Sequence, residues 1–192
     1  FRRPGVTGTW EAIIDAHTGE ILRFVDTNRY GSVHGGVYTT DGFPPEADRP
    51  FPFADIGGGL YSNEGGTFSG NNATVTLVGK YTHIEDDCGS ISNATTTGDV
   101  DFGMSSGTDC TTPTPNNGGP GNTHSARTLF YMATQVNMKA RTYLPTNTWL
   151  NTDYITCIVN QPAWCNATSG GGTINFYQST SGCNNLGEIP GV

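Results

Sequence analysis

Glycine and proline divide this chain into short segments, and that division limits the secondary structure it can form. Gly (27) and Pro (11) together make up about a fifth of the 192 residues. Between residues 31 and 82, short apolar runs alternate with Pro, Gly and Asn clusters, which is typical of short strands joined by turns. Strands are predicted at 35–38, 60–61, 66–68 and 74–78. The expected fold class is therefore mainly β with one long helix (α+β), in which the middle of the chain resembles a β-sandwich.

Residues 9–26 carry the clearest strand pattern and predict an N-terminal β-hairpin. Apolar side chains recur at every second position on both halves, at Trp10, Ala12 and Ile14 and again at Leu22 and Phe24. The turn between them contains Asp15, which can accept hydrogen bonds from the following amides, and Gly19, which can take a positive φ. We expect His17 to be exposed at this turn rather than to act in a site.

The helix is predicted between Asn122 and Leu144. Asn122 or Thr123 can cap its N-terminus, and Pro145 disfavours helical structure at the residue before it. Apolar residues recur at helical spacing along this segment, at Leu129, Ala133, Val136 and Ala140. Beyond the helix, strands are predicted at 154–159 and 174–177.

Charge and cysteine content restrict the class of protein. The net charge is −8 without a basic cluster, so we expect no nucleic-acid partner. No apolar run reaches the roughly 18 residues of a membrane span. Five cysteines in an acidic, lysine-poor chain predict disulfides and a secreted, extracellular protein. We expect Cys88 to pair with Cys110 and Cys165 with Cys183. Cys157 is then left over, and an odd thiol of this kind can pair with a segment missing from this chain.

Candidate binding residues fall into three groups. Asn72, Asn93 and Asn166 each begin an Asn-Ala-Thr sequon, a candidate glycosylation site in a glycosylating host. A group of acidic residues in loops offers oxygen ligands that suit calcium, and the alternative is that these residues are solvated loop charges. The group comprises Glu85, Asp86, Asp87, Asp99 and Asp101. The four histidines are far apart, and His124 is expected to pack or cap the helix. No catalytic or metal residues are predicted within the chain, because no nucleophile motif or zinc-ligand spacing occurs.

Several segments resemble zinc metallopeptidases of the thermolysin and fungalysin type. Residues 10–22, Trp-Glu-Ala-Ile-Ile-Asp-Ala-His-Thr-Gly-Glu-Ile-Leu, are similar to the closing hairpin of that family's propeptide domain. Residues 122–126, Asn-Thr-His-Ser-Ala, resemble the opening of the first helix of the catalytic N-lobe. Residues 162–166 and 174–176 resemble the edge-strand region, and 187–189 resemble the segment before the zinc helix.

The resemblance implies three segments. Residues 1–30 would end a propeptide-like domain, 31–120 would form an inserted β-rich, disulfide-bonded domain, and 121–192 would begin the peptidase N-lobe. The family's His-Glu-x-x-His does not occur before Val192, so the resemblance implies a fragment whose zinc and general base belong to polypeptide beyond it. Proteins of this family bind the substrate backbone by adding it as a strand to a sheet edge. The resemblance implies that the corresponding edge strand here contains Gln161, Pro162, Ala163 and Trp164. Pro162 departs from the family pattern, because it lacks the amide donor.

Two functions are expected from different classes. The first is the non-catalytic N-terminal portion of a secreted zinc metalloendopeptidase-like protein, whose partner is the remainder of its own polypeptide. The alternative is an extracellular structural, self-assembling or interaction protein derived from such a peptidase, in which open sheet edges favour homo-assembly. Whether the chain itself is an enzyme stays open at this point.

Overall fold

Short strands and one long helix make up the computed structural model of this protein, which describes residues 10–26, 30–40, 42, 44–104, 110, 119–163, 166–179 and 182–189. The mainly β fold with one long helix is therefore confirmed. The strands are β1 Trp10–Ile14, β2 Ile21–Asp26, β3 Tyr30–Val37, β4 Ala47–Pro50, β5 Asp55–Gly57, β6 Leu60–Tyr61, β7 Thr67–Ser69, β8 Ala73–Val75, β9 Thr82–Asp86, β10 Gly89–Ser90, β11 Asn93–Thr95, β12 Val100–Asp101, β13 Gly119–Pro120, β14 Ile155–Gln161, β15 Ala167–Gly170 and β16 Thr173–Tyr177. The helices are α1 His124–Tyr143, α2 Thr148–Thr152 and a 3₁₀ turn, Leu186–Glu188.

The predicted N-terminal hairpin forms from β1 and β2, which pair in antiparallel register. Asp15 Oδ1 accepts hydrogen bonds from the amides of His17 and Thr18 at 2.7 and 2.9 Å, and Gly19 takes φ +74°. The turn chemistry is therefore as predicted, and His17 is exposed. Among the described strands, β1 and β2 pair only with each other.

A first sheet, the β3 sheet, contains β12, β3 and β4 in that order, with β7 pairing the N-terminal part of β3. β3 runs parallel to β12 and antiparallel to β4. Val33 and Val37 point from β3 into the core, where Phe51 packs against Phe102 and Phe130 with ring centroids 5.8 and 5.5 Å apart. This sheet therefore supplies one wall of the apolar core.

A second sheet, the β14 sheet, has the order β15, β16, β14, β9. β14 is parallel to both neighbours, and β15 returns antiparallel to β16. β9 comes from the middle of the chain, so one sheet joins segments on both sides of the boundary expected at 120/121. Buried residues of both segments also form one hydrophobic core. β9 pairs with β14 and contacts α1, so residues from both sides of that boundary share a sheet and a core, and the division into domains at 120/121 stays a prediction.

α1 begins and ends where the sequence predicts. Thr123 is its N-cap and accepts a hydrogen bond from the Ala126 amide at 3.3 Å, and Leu144 is its C-cap. α1 packs against β3, β9 and β14. Its buried residues are largely polar: Ser125, Ala126, Arg127, Thr128, Phe130, Thr134 and Asn137. No helix among the described residues is long and apolar enough to cross a lipid bilayer.

The cysteines follow the predicted pairing in part. Cys88 and Cys110 form a disulfide, as expected, with their Cα atoms 5.6 Å apart. Cys183 is disulfide-bonded, but its predicted partner Cys165 lies outside the described residues. Cys157 is a free thiol, 1% exposed in the middle of β14. A segment outside this chain would have to enter the core to reach this thiol, and pairing of Cys157 with such a segment stays a prediction.

Candidate functional site

The apolar stripe predicted on α1 lines a groove beside the core, and Leu129 and Ala133 of this stripe also pack against the core. Leu129, Ala133 and Val136 line one wall of this groove, and Ile155 and Ile174 of the β14 sheet line the opposite wall. α2 and the 3₁₀ turn close its ends through further apolar residues, and the cavity between them measures about 240 Å³. Val136 is 68% exposed, although it belongs to the most apolar face of the helix. We call this feature the α1 groove.

The opposite face of α1 is held to the core by a buried ion pair. Arg127 Nη2 donates to Glu46 Oε1 at 2.7 Å, and the guanidinium and carboxylate are 0% and 2% exposed. Arg127 also donates from Nε to the Gly36 carbonyl at 2.8 Å and from Nη1 to the Asn122 carbonyl at 2.6 Å. Beside it, His124 Nδ1 lies 2.6 Å from the Tyr38 hydroxyl. His124 therefore packs at the start of the helix, as predicted, and these bonds orient α1 so that its apolar stripe faces the groove.

A second buried polar network lies where the carboxyl ends of β9 and β14 meet the N-terminus of α1. Asp86 Oδ2 accepts from the Thr123 hydroxyl at 2.6 Å, and Asp86 Oδ1 accepts from the Cys88 amide and Asn160 Nδ2, both at 3.0 Å. Asn160 Oδ1 in turn accepts from Asn185 Nδ2 at 2.7 Å. Every carboxylate oxygen of Asp86 therefore has a donor, and the network ties the disulfide loop, β14 and the segment after β16 to the helix cap.

Burial raises the pKa of Asp86, and the hydrogen bonds from Thr123, Asn160 and Cys88 oppose that rise only in part. No lysine or arginine among the described residues forms an ion pair with Asp86. A carboxylate enclosed by hydrogen bonds and far from a groove opening is suited to holding elements together. We therefore assign it a structural role rather than a catalytic one.

The outer strands of the β14 sheet are β15 and β9. Gln161 is the last residue of β14 and pairs with Tyr177, while Pro162 and Ala163 form a bend after that strand. Trp164 lies outside the described residues. β15, Ala167–Gly170, pairs with β16 on one side only among the described strands. Peptide binding at residues 161–164 stays a prediction.

The acidic residues considered for calcium do not converge. Asp86 is buried in the network above, Glu85 is exposed on β9, and Asp99 accepts hydrogen bonds from the amide and hydroxyl of Ser32 at 3.0 and 2.8 Å. Asp101 lies on β12, in the β3 sheet. The calcium site considered from the sequence is therefore not assembled by the described residues.

The sequon asparagines differ in accessibility. Asn72 and Asn166 are exposed, so their amides are open to modification. Asn93 is half-buried, and its Nδ2 donates to the Asp101 carbonyl at 2.6 Å. A glycan on Asn93 would have to attach to a nitrogen already engaged in that bond. Asn166 directly precedes the edge strand β15.

Comparisons of the chain with protein-family models, with curated protein sequences and with solved structures found no match. Sequence reasoning missed the edge strand, the buried ion pair and the Asp86 network. The α1 stripe was visible in the sequence, but the spacing of its residues does not say what covers it.

Proposed function

We propose that this chain is the non-catalytic N-terminal portion of a secreted zinc metalloendopeptidase-like protein of the thermolysin and fungalysin type. The observation that carries the proposal is the α1 groove, in which an apolar helix stripe and an apolar sheet face lie apart from each other. Val136 on the helix wall of this groove is 68% exposed, and an apolar groove with such a residue is a surface where another element can pack. The disulfide between Cys88 and Cys110 supports a secreted protein.

The partner in this proposal is the remainder of the same polypeptide. A helix that presents apolar residues every three to four positions would fill the groove between Val136 on one wall and Ile174 on the other. The zinc ligands and the general base would belong to that remainder, since the described histidines of this chain lie on separate elements: a turn, β3, β9 and α1. The chain contributes the packing surface and not the metal centre of the peptidase.

Substrate binding in this proposal uses β15. Because β15 has a described neighbour on one side only, its outward amides and carbonyls can pair with an extended peptide. Pro162 is not on this strand, so the missing amide at that position does not affect pairing. Peptide binding is accordingly assigned to Ala167–Gly170 instead of residues 161–164.

The test is made on the natural protein purified from its source. The proposal requires an intact mass well above 20.4 kDa and endopeptidase activity on an unfolded protein substrate that a zinc chelator abolishes. A mass near 20.4 kDa without such activity would overturn the proposal for this protein.

A matched pair of variants then tests the groove. In the longer protein, Val136→Gln places a polar amide in the α1 groove, whereas Lys139→Gln changes the exposed face of the same helix. We expect Val136→Gln to lower both thermal stability and activity, and Lys139→Gln to leave both close to wild type. Equal effects of the two variants would contradict packing of a catalytic segment in the groove.

A second candidate function is an extracellular assembly or interaction module, favoured by the β1–β2 hairpin. Ile14, Leu22 and Phe24 are each more than half exposed on this hairpin, and a two-stranded sheet is only marginally stable alone. Sedimentation of the recombinant chain distinguishes the candidates. Concentration-dependent oligomers that Leu22→Ser dissociates would favour this function, and a monomer at all concentrations would count against it.

A further inference from the structure

Three metal-ligating side chains converge on the β3 sheet, away from the groove and the edge strand. His34 lies on β3, Asp48 on β4 and Asp101 on β12. The strand register pairs His34 with Asp101 directly and with Pro50, two residues from Asp48. Since side chains two residues apart share a face, all three lie on one face of the sheet. The neighbouring Val33 is buried, so this is the face opposite the core.

The distances between these side chains suit a small divalent ion. His34 Nδ1 lies 3.0 Å from Asp48 Oδ1 and 3.7 Å from Asp101 Oδ1, and all three ligand atoms lie within 4.8 Å of one another. Tetrahedral zinc with ligands at roughly 2.0–2.1 Å separates those ligands by about 3.3 Å. The two measured separations bracket this value, so small side-chain rotations would bring the atoms onto one ion.

The donor set selects the type of ion. Imidazole nitrogen with carboxylate oxygen suits zinc and related transition metals, whereas calcium needs six to eight oxygen ligands. The described residues supply three protein ligands here, and the exposed side leaves room for water as the fourth. The cluster therefore favours Zn²⁺ over Ca²⁺.

The charges of the cluster also favour a cation. Two carboxylates face a single imidazole, and no described lysine or arginine forms an ion pair with Asp48 or Asp101. The strands hold the ligands in place: Asp101 Oδ1 accepts a hydrogen bond from the Gly103 amide at 2.7 Å, and His34 sits in the central strand of its sheet. A dication would neutralise the excess negative charge without moving the backbone.

We infer that His34, Asp48 and Asp101 form a Zn²⁺-binding site on the outer face of the β3 sheet. The site is separate from the metal centre of the proposed peptidase, because all its ligands belong to this chain and none lies near the α1 groove. It therefore stands or fails independently of the proposed function.

Titration calorimetry of the recombinant chain with Zn²⁺ tests the site. We expect one saturable zinc per chain. His34→Ala, Asp48→Asn and Asp101→Asn should each raise the dissociation constant for zinc at least about tenfold. His17→Ala and Glu64→Gln change an exposed histidine and an exposed carboxylate elsewhere and should bind zinc as wild type does. Millimolar Ca²⁺ should not displace the zinc.

Two further measurements separate loss of zinc binding from misfolding of a variant. Circular dichroism without metal checks that each variant is folded, and the zinc-induced change in the histidine ring signals is followed by NMR on the wild-type chain. We expect the His34 ring signals to shift, with those of His17 unchanged. No saturable binding, unchanged affinity in folded cluster variants, or a shift at His17 instead of His34 would overturn the inference.

Discussion

One face of α1 packs against the core largely through polar side chains, whereas the face with its apolar stripe borders an open groove. On the buried face, Arg127 pairs with Glu46, and Thr134 donates to the Thr82 hydroxyl at 3.2 Å. On the groove face, Val136 is 68% exposed, and Leu129 is only partly covered. This arrangement reverses the usual one, in which the apolar stripe is the buried one.

Directional hydrogen bonds, rather than apolar area, decide how α1 is oriented. An arginine that donates to three acceptors can satisfy them in only one orientation, because its donors form a rigid fork. Apolar burial is non-directional and is satisfied by whatever covers it. The apolar stripe is therefore available to a second element, while the polar face specifies the position of the helix.

The largest change in the free energy of unfolding is expected for one of two alanine substitutions, placed on opposite faces of α1. Phe130 is fully buried against Phe51, so Phe130→Ala should lower the free energy of unfolding by about 3–5 kcal/mol. Val136→Ala should change it by no more than about 0.5 kcal/mol, because the side chain is mostly exposed. Urea unfolding followed by circular dichroism measures both. Similar losses for the two variants would mean that the groove is closed in solution.

The next effect concerns the polar network at the helix cap. Asp86→Ala removes the acceptor for Thr123, Cys88 and Asn160 and leaves buried donors unsatisfied, so we expect a loss of about 2–4 kcal/mol. Glu85→Ala, at the exposed neighbouring position, is the control and should cost little. The same urea unfolding applies. Equal stability of the two variants would show that the network does not hold the helix cap.

A smaller effect should appear in the pH dependence of stability. Burial raises the pKa of Asp86 above its ordinary value of 3.8, so the folded chain binds this proton more tightly than the unfolded chain. The stabilisation is fully present below about pH 3.8 and is lost as the pH rises through the raised folded pKa. The pKa of Asp87 is also raised, and burial is again the main cause.

Asp86→Asn isolates the contribution of Asp86 to that pH dependence, because its amide resembles the protonated acid. We expect the stability of wild type relative to Asp86→Asn to decrease as the pH is raised from 4 towards neutrality. Unfolding curves at a series of pH values provide the measurement. A stability of wild type relative to Asp86→Asn that increases with pH would contradict the raised pKa of Asp86.

The smallest effect is expected at Cys157, which borders the α1 groove at 1% exposure. Burial raises the pKa of this thiol to about 12, so almost no thiolate is present at neutral pH. A thiol reagent should therefore react with the folded chain far more slowly than with the chain in denaturant. Fast labelling of the folded chain would show that the groove opens as far as β14.

Local patterns account for the elements that sequence reasoning located. The hairpin at 10–26 follows from period-two alternation and from Asp15 and Gly19 in its turn. The helix follows from its cap at Thr123 and from Pro145 after its end. β15 was missed because Ala-Thr-Ser-Gly lacks apolar alternation and is a strand only through its pairing with β16.

Contacts between distant residues account for what was not predicted. Glu46 and Arg127 are separated by 81 residues, and Asp86 and Asn160 by 74. His34, Asp48 and Asp101 meet only because β4 and β12 flank β3 on its two sides. No spacing rule along the chain connects such residues, since the strand order that unites them is a property of the fold.

The fold class, the hairpin and the helix with its cap could be predicted from the amino-acid sequence, because short-range hydrogen bonds and periodic side-chain placement specify them. The face of α1 that is buried, the outer position of β15 in its sheet and the core shared by β9 and β14 follow from long-range contacts. Those outcomes depend on β9 pairing with β14 and on Arg127 reaching Glu46. Each is a long-range contact whose free energy is gained only after the whole chain has been brought together.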